Sequence, residues 1–357
     1  MTEARVREAF AQQAAICRRA GAPFTGRICG LIAERLTCDG ALGRRVLEWP
    51  GVPSHEGDAV PLRLAGGLHD LARSGDAPAL AAIYPPHAAP ADDEVVWGVI
   101  DAALKAHEAA VMPWLDGPPQ TNEVGRSAAL MAGLLVLADR FGLPFDLHEL
   151  GASAGLNSGL DRYAFRLGET AAGQAGSTVR LEPDWTGPSP PRAAVTIRRR
   201  QAVDRNPLDV TDPETHRRLA AYVWADQRER LARLDAALDL MASDPVTVDR
   251  ADAADWLEDR LSLDPEGDVC RVVMHTIAFQ YFPAEAQRRI AERLSRVGSN
   301  ATEKAPLAWL SFEAVSSGFE RRPELVLTVW PGGQARRLAV AQPHGASIDW
   351  LDQAVAV

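Results

Sequence analysis

From Pro144 onward the chain repeats one pattern: a short apolar run, a turn, then a stretch with helical spacing. The runs are "FDLHEL" (145–150), "AAVTIRR" (193–199), "PVTVDRA" (245–251), "DVCRVVMHTIAF" (268–279) and "PLAWLSFEAV" (306–315). Between them, "PETHRRLAAYVWADQRERLARLDAALDLMA", "ADWLEDRL" and "PAEAQRRIAERLSRVG" place apolar residues three and four apart. Strands alternating with helices predict βαβ units and a mostly parallel sheet, because parallel neighbours need a crossover that covers a face. The end differs. "ELVLTVWPGGQARRLAVAQP" alternates on both sides of Pro331-Gly332-Gly333 and reads as an antiparallel hairpin.

Residues 1–141 carry the helical period alone. "EARVREAFAQQAAICRRAG" stops at Gly21-Ala22-Pro23, and Gly75 stops another segment. "ADDEVVWGVIDAALKAHEAAVMPWL" has acids in its first turn, where they favour the helix dipole. "TNEVGRSAALMAGLLVLADRFG" follows Pro118-Pro119, with Thr121 or Asn122 as the expected N-cap. The expected organisation is a helical domain, 1–141, followed by an α/β domain, 142–357. The Gly-, Pro- and Ser-rich stretch 168–192 reads as a long loop with one short strand at "STVRLE".

A length of 357 residues suits about two domains. The formal net charge of -10 argues against nucleic acid or an anionic membrane as a partner and leaves a small molecule. Cys17, Cys29, Cys38 and Cys270 form no C-x-x-C pair and read as free thiols of a reducing compartment. The first residues lack the apolar core of a signal peptide, and no apolar run reaches the roughly 20 residues of a membrane span. The expected location is a bacterial cytoplasm.

"LHELGASAGLNSGLDRY", residues 147–163, supports two chemistries. As Glu149-x-Gly151-x-Ser153-x-Gly155 it is a glycine loop between a strand and a helix running from Gly155 to about Phe165. Its amides and the helix dipole would then face a ligand. Glu149 would meet that ligand or cap the loop's own amides. The dinucleotide pattern G-x-G-x-x-G fails at Ser153 and Leu156. Arg198, Arg199 and Arg200 read either as a 2′-phosphate site or as a solvated strand end. As Gly151-x-Ser153-x-Gly155 the same stretch is a nucleophile elbow, with Glu313 and His344 following in hydrolase order. The strands that precede such an elbow are missing.

The order of elements over residues 143–343 resembles the S-adenosylmethionine-dependent methyltransferases. The resemblance implies a Rossmann-like, methyltransferase-type sheet. It also implies that Glu149, Gly151 and Gly155 hold the cofactor's amino-acid end, where Ser153 departs from the family pattern. Asp204 would bind the ribose, with Asp209 as rival, and Asp252 would lie near the adenine. His275-Thr276, at the fourth strand's end, would shape the substrate site. There an imidazole is either a general base or a buried, hydrogen-bonded histidine. "EAVSSGFERRP" is short for the connecting helix of that fold, so an antiparallel meander is expected at the far edge.

"QTNEVGRSAAL", "ELGASAGLN", "DRYAF" and "HGASIDW" together look like a bacterial family of unknown function. That likeness implies a shared pocket. Gln120, Asn122, Glu123 and Arg126 would cap it above the loop, Asn157 would face the cofactor, and Asp161 and Tyr163 the substrate. The expected activity is S-adenosylmethionine-dependent methyl transfer to a small molecule. The alternatives are a serine hydrolase using Ser153 and a non-catalytic protein that binds a nucleotide-like ligand.

Overall fold

The apolar runs pair side by side in a computed structural model of the chain, which describes residues 2–262, 267–314 and 322–354. The strands are β1 (Phe145–Leu150), β2 (Ala164–Leu167), β3 (Thr170–Gly173), β4 (Arg180–Leu181), β5 (Asp184–Thr186) and β6 (Ile197–Asp204). They continue with β7 (Val248–Arg250), β8 (Cys270–Thr276), β9 (Leu307–Glu313), β10 (Glu324–Trp330), β11 (Gln334–Ala341) and β12 (Ser347–Ala354). Nine of them form one sheet in the order β5-β12-β11-β10-β9-β8-β1-β6-β7. From β7 to β9 all neighbours are parallel. From β9 to β12 they are antiparallel, and β5 closes the edge parallel to β12. The chain is therefore mixed α/β, helices first, then a mostly parallel sheet ending in antiparallel strands.

Burial follows from position in the sheet. All six residues of β1 are buried, as expected for a central parallel strand covered on both faces. On β9 the alternation is visible: Leu307 and Trp309 join a core with the helix Ala284–Gly298. Leu310 points the other way, to the helix Ser127–Phe141. There its Cδ1 lies 2.6 Å from where a Cβ on Gly133 would be, so a larger residue would require Leu310 to shift.

The hairpin lies where the sequence puts it, with Gly332 and Gly333 at φ 114° and 66°. The meander is present too, with β10 directly beside β9. The connector 315–321, on which that expectation was based, lies outside the described residues. Two expectations fail. The helix from Gly155 to Phe165 does not form. Turns and a single 3-10 turn, Leu160–Arg162, occupy that stretch, and its last part becomes β2. Gly155, Asn157, Ser158 and Gly159 are weak helix formers, and the Asn and Ser side chains find other hydrogen-bond partners. The loop 168–192 is also more ordered than expected: β3 and β4 flank β2 in a small second sheet, and β5 joins the large one.

The chain divides into two compact units: Met1–Thr121 with Pro213–Asp235, and Asn122–Asp212 with Ala236–Val357. The helix Ser127–Phe141 thus groups with the sheet, and 213–235 groups with the helices. Within the helical unit, Val6 and Phe10, Ile28 and Ile32, Leu64 and Leu68, and Ile100 and Leu104 pair four apart along their helices and share one core. Asp226 shows why the later segment belongs there. Its carboxylate accepts from Phe24 N (2.7 Å), Thr25 N (2.9 Å) and Thr25 Oγ1 (2.6 Å), capping the helix Pro23–Arg35 in place of a local side chain. Among the described residues, no helix is long and apolar enough to cross a membrane. Replacing Asp226 by Ala removes a charged cap from orphan amides. It should lower stability by about 1–3 kcal/mol, measured by urea unfolding followed by circular dichroism; a change within error would show that the cap is not needed.

Candidate functional site

The site follows from the backbone after β1. Gly151, Ser153 and Gly155 all have positive φ, 71°, 56° and 74°. Alternation of this kind turns successive amides toward one side, the geometry that elsewhere receives anions. For Ser153 the left-handed conformation carries a steric cost that a glycine would not have.

Here the amides are already engaged. Gly151 N and Ala152 N donate to Val203 O at 2.9 and 3.0 Å, and Gly155 N donates to Ala152 O at 2.8 Å. Ser153 N donates to Asp204 Oδ2 at 2.8 Å. Ala154 N and Leu156 N both donate to Asn122 Oδ1, at 3.2 and 3.0 Å. Asn122 is therefore not the N-cap of the helix Ser127–Phe141. A 3-10 turn, Val124–Arg126, precedes that helix, and Glu123 caps the turn through Gly125 N at 3.0 Å. The space beyond Gly151 is filled as well: a Cβ there would meet Ala278 Cβ at 2.6 Å and the Phe282 ring at 3.5 Å. With no helix dipole behind it and every amide from 151 to 156 donated internally, the loop does not fit the amino-acid end of S-adenosylmethionine.

Glu149 is 1% exposed and accepts a short hydrogen bond from Ser158 Oγ. Burial pushes its carboxyl up to about 7, with the Ser158 hydroxyl pulling it back. It braces the loop from inside. Asn157 Oδ1 accepts from Ser127 Oγ at 2.7 Å, and Tyr163 OH donates to Leu156 O at 2.6 Å with no exposure of the ring. Asp161 pairs with Arg200 at 2.5 Å. Arg126 Nε donates to Pro343 O at 3.0 Å and its Nη1 to Thr276 O at 3.1 Å. Glu123 Oε2 lies 3.7 Å from His344 Nδ1. Gly345 approaches Gly125 O so closely that a Cβ would sit 2.2 Å from it. Asn122, Glu123, Arg126, Ser153, Asn157 and Tyr163 thus meet, but as ties between chain segments. Gln120 falls in the helical unit.

His275 is fully buried and both its nitrogens are engaged. Trp309 Nε1 donates to its Nε2 at 2.9 Å, which leaves the proton on Nδ1 for Glu313 Oε1 at 2.8 Å. Its ring stacks on Phe279, centroids 4.7 Å apart. This is the geometry of a buried, hydrogen-bonded histidine. Glu313 also accepts from Ala278 N (2.9 Å) and Phe279 N (3.0 Å). Burial pushes its carboxyl up, but His275 first, and then the two amides, outweigh it and hold the group below its ordinary value. Glu313 is therefore paired with His275, while His344 faces Glu123, so the Glu313–His344 pairing read from the order of residues is not the one the fold makes. Trp309 gave no motif signal in the sequence and was legible only as one more apolar residue of a strand; Ser127 lies within "QTNEVGRSAAL" but was not singled out.

The remaining acids have local roles, with one exception. Asp252 caps the helix Ala253–Arg260 through Ala254 N (2.9 Å) and pairs with Arg205 (2.9 Å). Asp209 accepts from Thr211 N (2.8 Å) and Oγ1 (2.7 Å) in a turn of its own. Arg198 makes a two-pronged contact with buried Asp146, at 2.9 and 2.5 Å, while Arg198 and Arg199 themselves stay exposed near the start of β6. Asp204 is the exception. It is the last residue of β6, half-buried, and holds Ser153 N on one oxygen and Asn206 N, 2.8 Å, on the other. Each oxygen keeps a lone pair. The site lies where the strand order reverses, β6 on one side of β1 and β8 on the other, the position at which open α/β sheets bind ligands. Beyond β8, Ile277 has φ 46°, a costly value for a β-branched residue, and Tyr281 is 73% exposed.

Glu149 gives a pH test. Its folded-state value of about 7 exceeds the ordinary 4.5. Its contribution to stability is thus complete below the unfolded value and is lost as pH rises through the folded one. Between about pH 5 and pH 8 the wild type should lose roughly 1–3 kcal/mol relative to Glu149→Gln, which keeps the acceptor and cannot titrate. Buried His69 and His148, lowered by burial to about 4, are lost in the opposite direction, as pH falls, and cancel in the difference. Parallel pH profiles of unfolding for the two proteins would contradict this account of Glu149.

No curated protein matches the chain, and no solved structure does. A family model does match, over residues 7–350, and its description is "uncharacterized protein conserved in bacteria". The chain belongs to that family, DUF2332.

Proposed function

We propose that the protein binds a ribose-bearing small molecule beyond the carboxyl ends of β1, β6 and β8, held by its nucleoside part, with no chemistry performed on it. One observation carries the reading: Asp204 sits at the tip of the strand beside β1, locked by two amides, with acceptor capacity left over. A carboxylate fixed at a topological switch point suits the paired hydroxyls of a ribose. The strained backbone at Ser153 and Ile277, on adjacent strand ends, supports it, since such strain collects at ligand sites. The exposed ring of Tyr281, just past β8, offers an apolar face for a base.

Methyl transfer is not carried into this proposal, because the amides that would hold the amino-acid end of S-adenosylmethionine donate elsewhere and His275 has no nitrogen to spare. The binding reading makes a specific demand on ligand structure. Calorimetry of the full chain with adenosine, adenine and S-adenosylhomocysteine should give similar binding for adenosine and S-adenosylhomocysteine, in the range of about 10 μM to 1 mM, and none for adenine. Asp204→Asn should weaken adenosine at least about tenfold, the loss of a charge-assisted hydrogen bond. Binding of S-adenosylhomocysteine far tighter than adenosine would restore the cofactor reading; no binding of either would end this one.

A further inference from the structure

The helical unit holds a cleft of about 310 Å³ that plays no part in the site above. The helix Val60–Ser74 brings Gly67 and Asp70 to it, the helix Pro213–Ala221 brings Glu214, Arg217 and Arg218, and the 3-10 turn Met112–Leu115 brings Trp114. With Asp76, the wall carries three acids against two arginines. Gly67 lets the indole lie close, since a Cβ would stand 3.0 Å from the Trp114 ring.

Asp70 is the unusual group. It is 8% exposed, and its Oδ1 is buried with no hydrogen-bond partner. Arg217 Nε stands 3.1 Å from that oxygen, close enough for an ion pair but not aligned as a donor. The same guanidinium reaches Glu214 at 3.3 Å, and its side chain is 52% exposed. A buried carboxylate covered by a loosely placed, solvent-facing cation is poorly compensated; burial pushes the Asp70 carboxyl above its ordinary value despite Arg217. Arg218 is fixed differently. It donates to Pro118 O at 3.3 Å and lies 5.9 Å from the Trp114 ring and 5.7 Å from the Tyr222 ring. Arg217 can leave while Arg218 stays as wall.

We propose that this cleft binds a small organic cation, an alkylguanidine or alkylamine, whose charged head takes the place of Arg217 over Asp70 and whose apolar part lies against Trp114 and Leu71. The mixed charges admit an anion on Arg217 and Arg218 as the competing outcome, and the test separates the two. The full chain is titrated with butylguanidinium, butylammonium and butyrate by calorimetry. Both cations should bind, with constants of roughly 0.1–10 mM, and butyrate should not. Arg217→Ala removes the internal competitor and should tighten the cations about threefold to tenfold, and Asp70→Asn should weaken them at least about tenfold. Arg217 is exposed, so its variant remains informative if the Asp70 variant does not fold. Failure of both cations to bind, binding of butyrate in their place, or weaker cation binding by Arg217→Ala would overturn the proposal.

Discussion

One carboxamide oxygen, Asn122 Oδ1, takes two amides from a loop more than thirty residues further along the chain. The architecture around β1 depends on that contact. A segment with positive φ at three alternate residues has no intrinsic stability, and the left-handed serine alone costs on the order of 1–2 kcal/mol. Hydrogen bonds worth roughly 1 kcal/mol each, from Asn122 and from Asp204, offset that strain. Because the amides face inward, Glu149 is enclosed with Ser158, and Tyr163 can seal the carbonyl of Leu156. Because no helix starts at Gly155, the chain is free to turn into β2 and the small sheet.

The fold was legible where a pattern repeats. Short apolar runs set between amphipathic stretches specify parallel strands and crossovers whatever the tertiary detail, and Pro331-Gly332-Gly333 specifies a hairpin. The strand β12 was missed because "SIDWLDQA" alternates only over Ile348 and Trp350 before Leu351 breaks the pattern, although Pro343-His344-Gly345 marks the turn before it. The false helix after Gly155 shows the limit of periodicity. Leu156 and Leu160 lie four apart, as on a helix face, yet Asn157 and Ser158 bond to Ser127 and Glu149 instead of leaving the backbone to itself.

The candidate site was legible as a set of residues but not as a chemistry. Asn122 and Asp204 hold the loop from Ser153 to Leu156, and the sequence had singled out both, one in a motif and one through the methyltransferase resemblance. Which oxygen meets which amide is tertiary information. A Gly-x-Ser-x-Gly loop reads the same whether it waits for a ligand or is filled by its own chain. For His275 the two readings differed only by the partners Trp309 and Glu313, more than thirty positions away in sequence. On the proposed reading the ligand lies outside the glycine loop, at the half-buried Asp204 and the exposed Tyr281.

Amide hydrogen exchange measured by NMR on the free protein tests the closed loop most directly. The account predicts that the amides of Ser153, Ala154 and Leu156 exchange as slowly as those of the central strand β1, since each is buried and donated to a fixed acceptor. Exchange at the rate of an open surface loop, slowing only when an adenosyl compound is added, would contradict it and return those amides to the ligand.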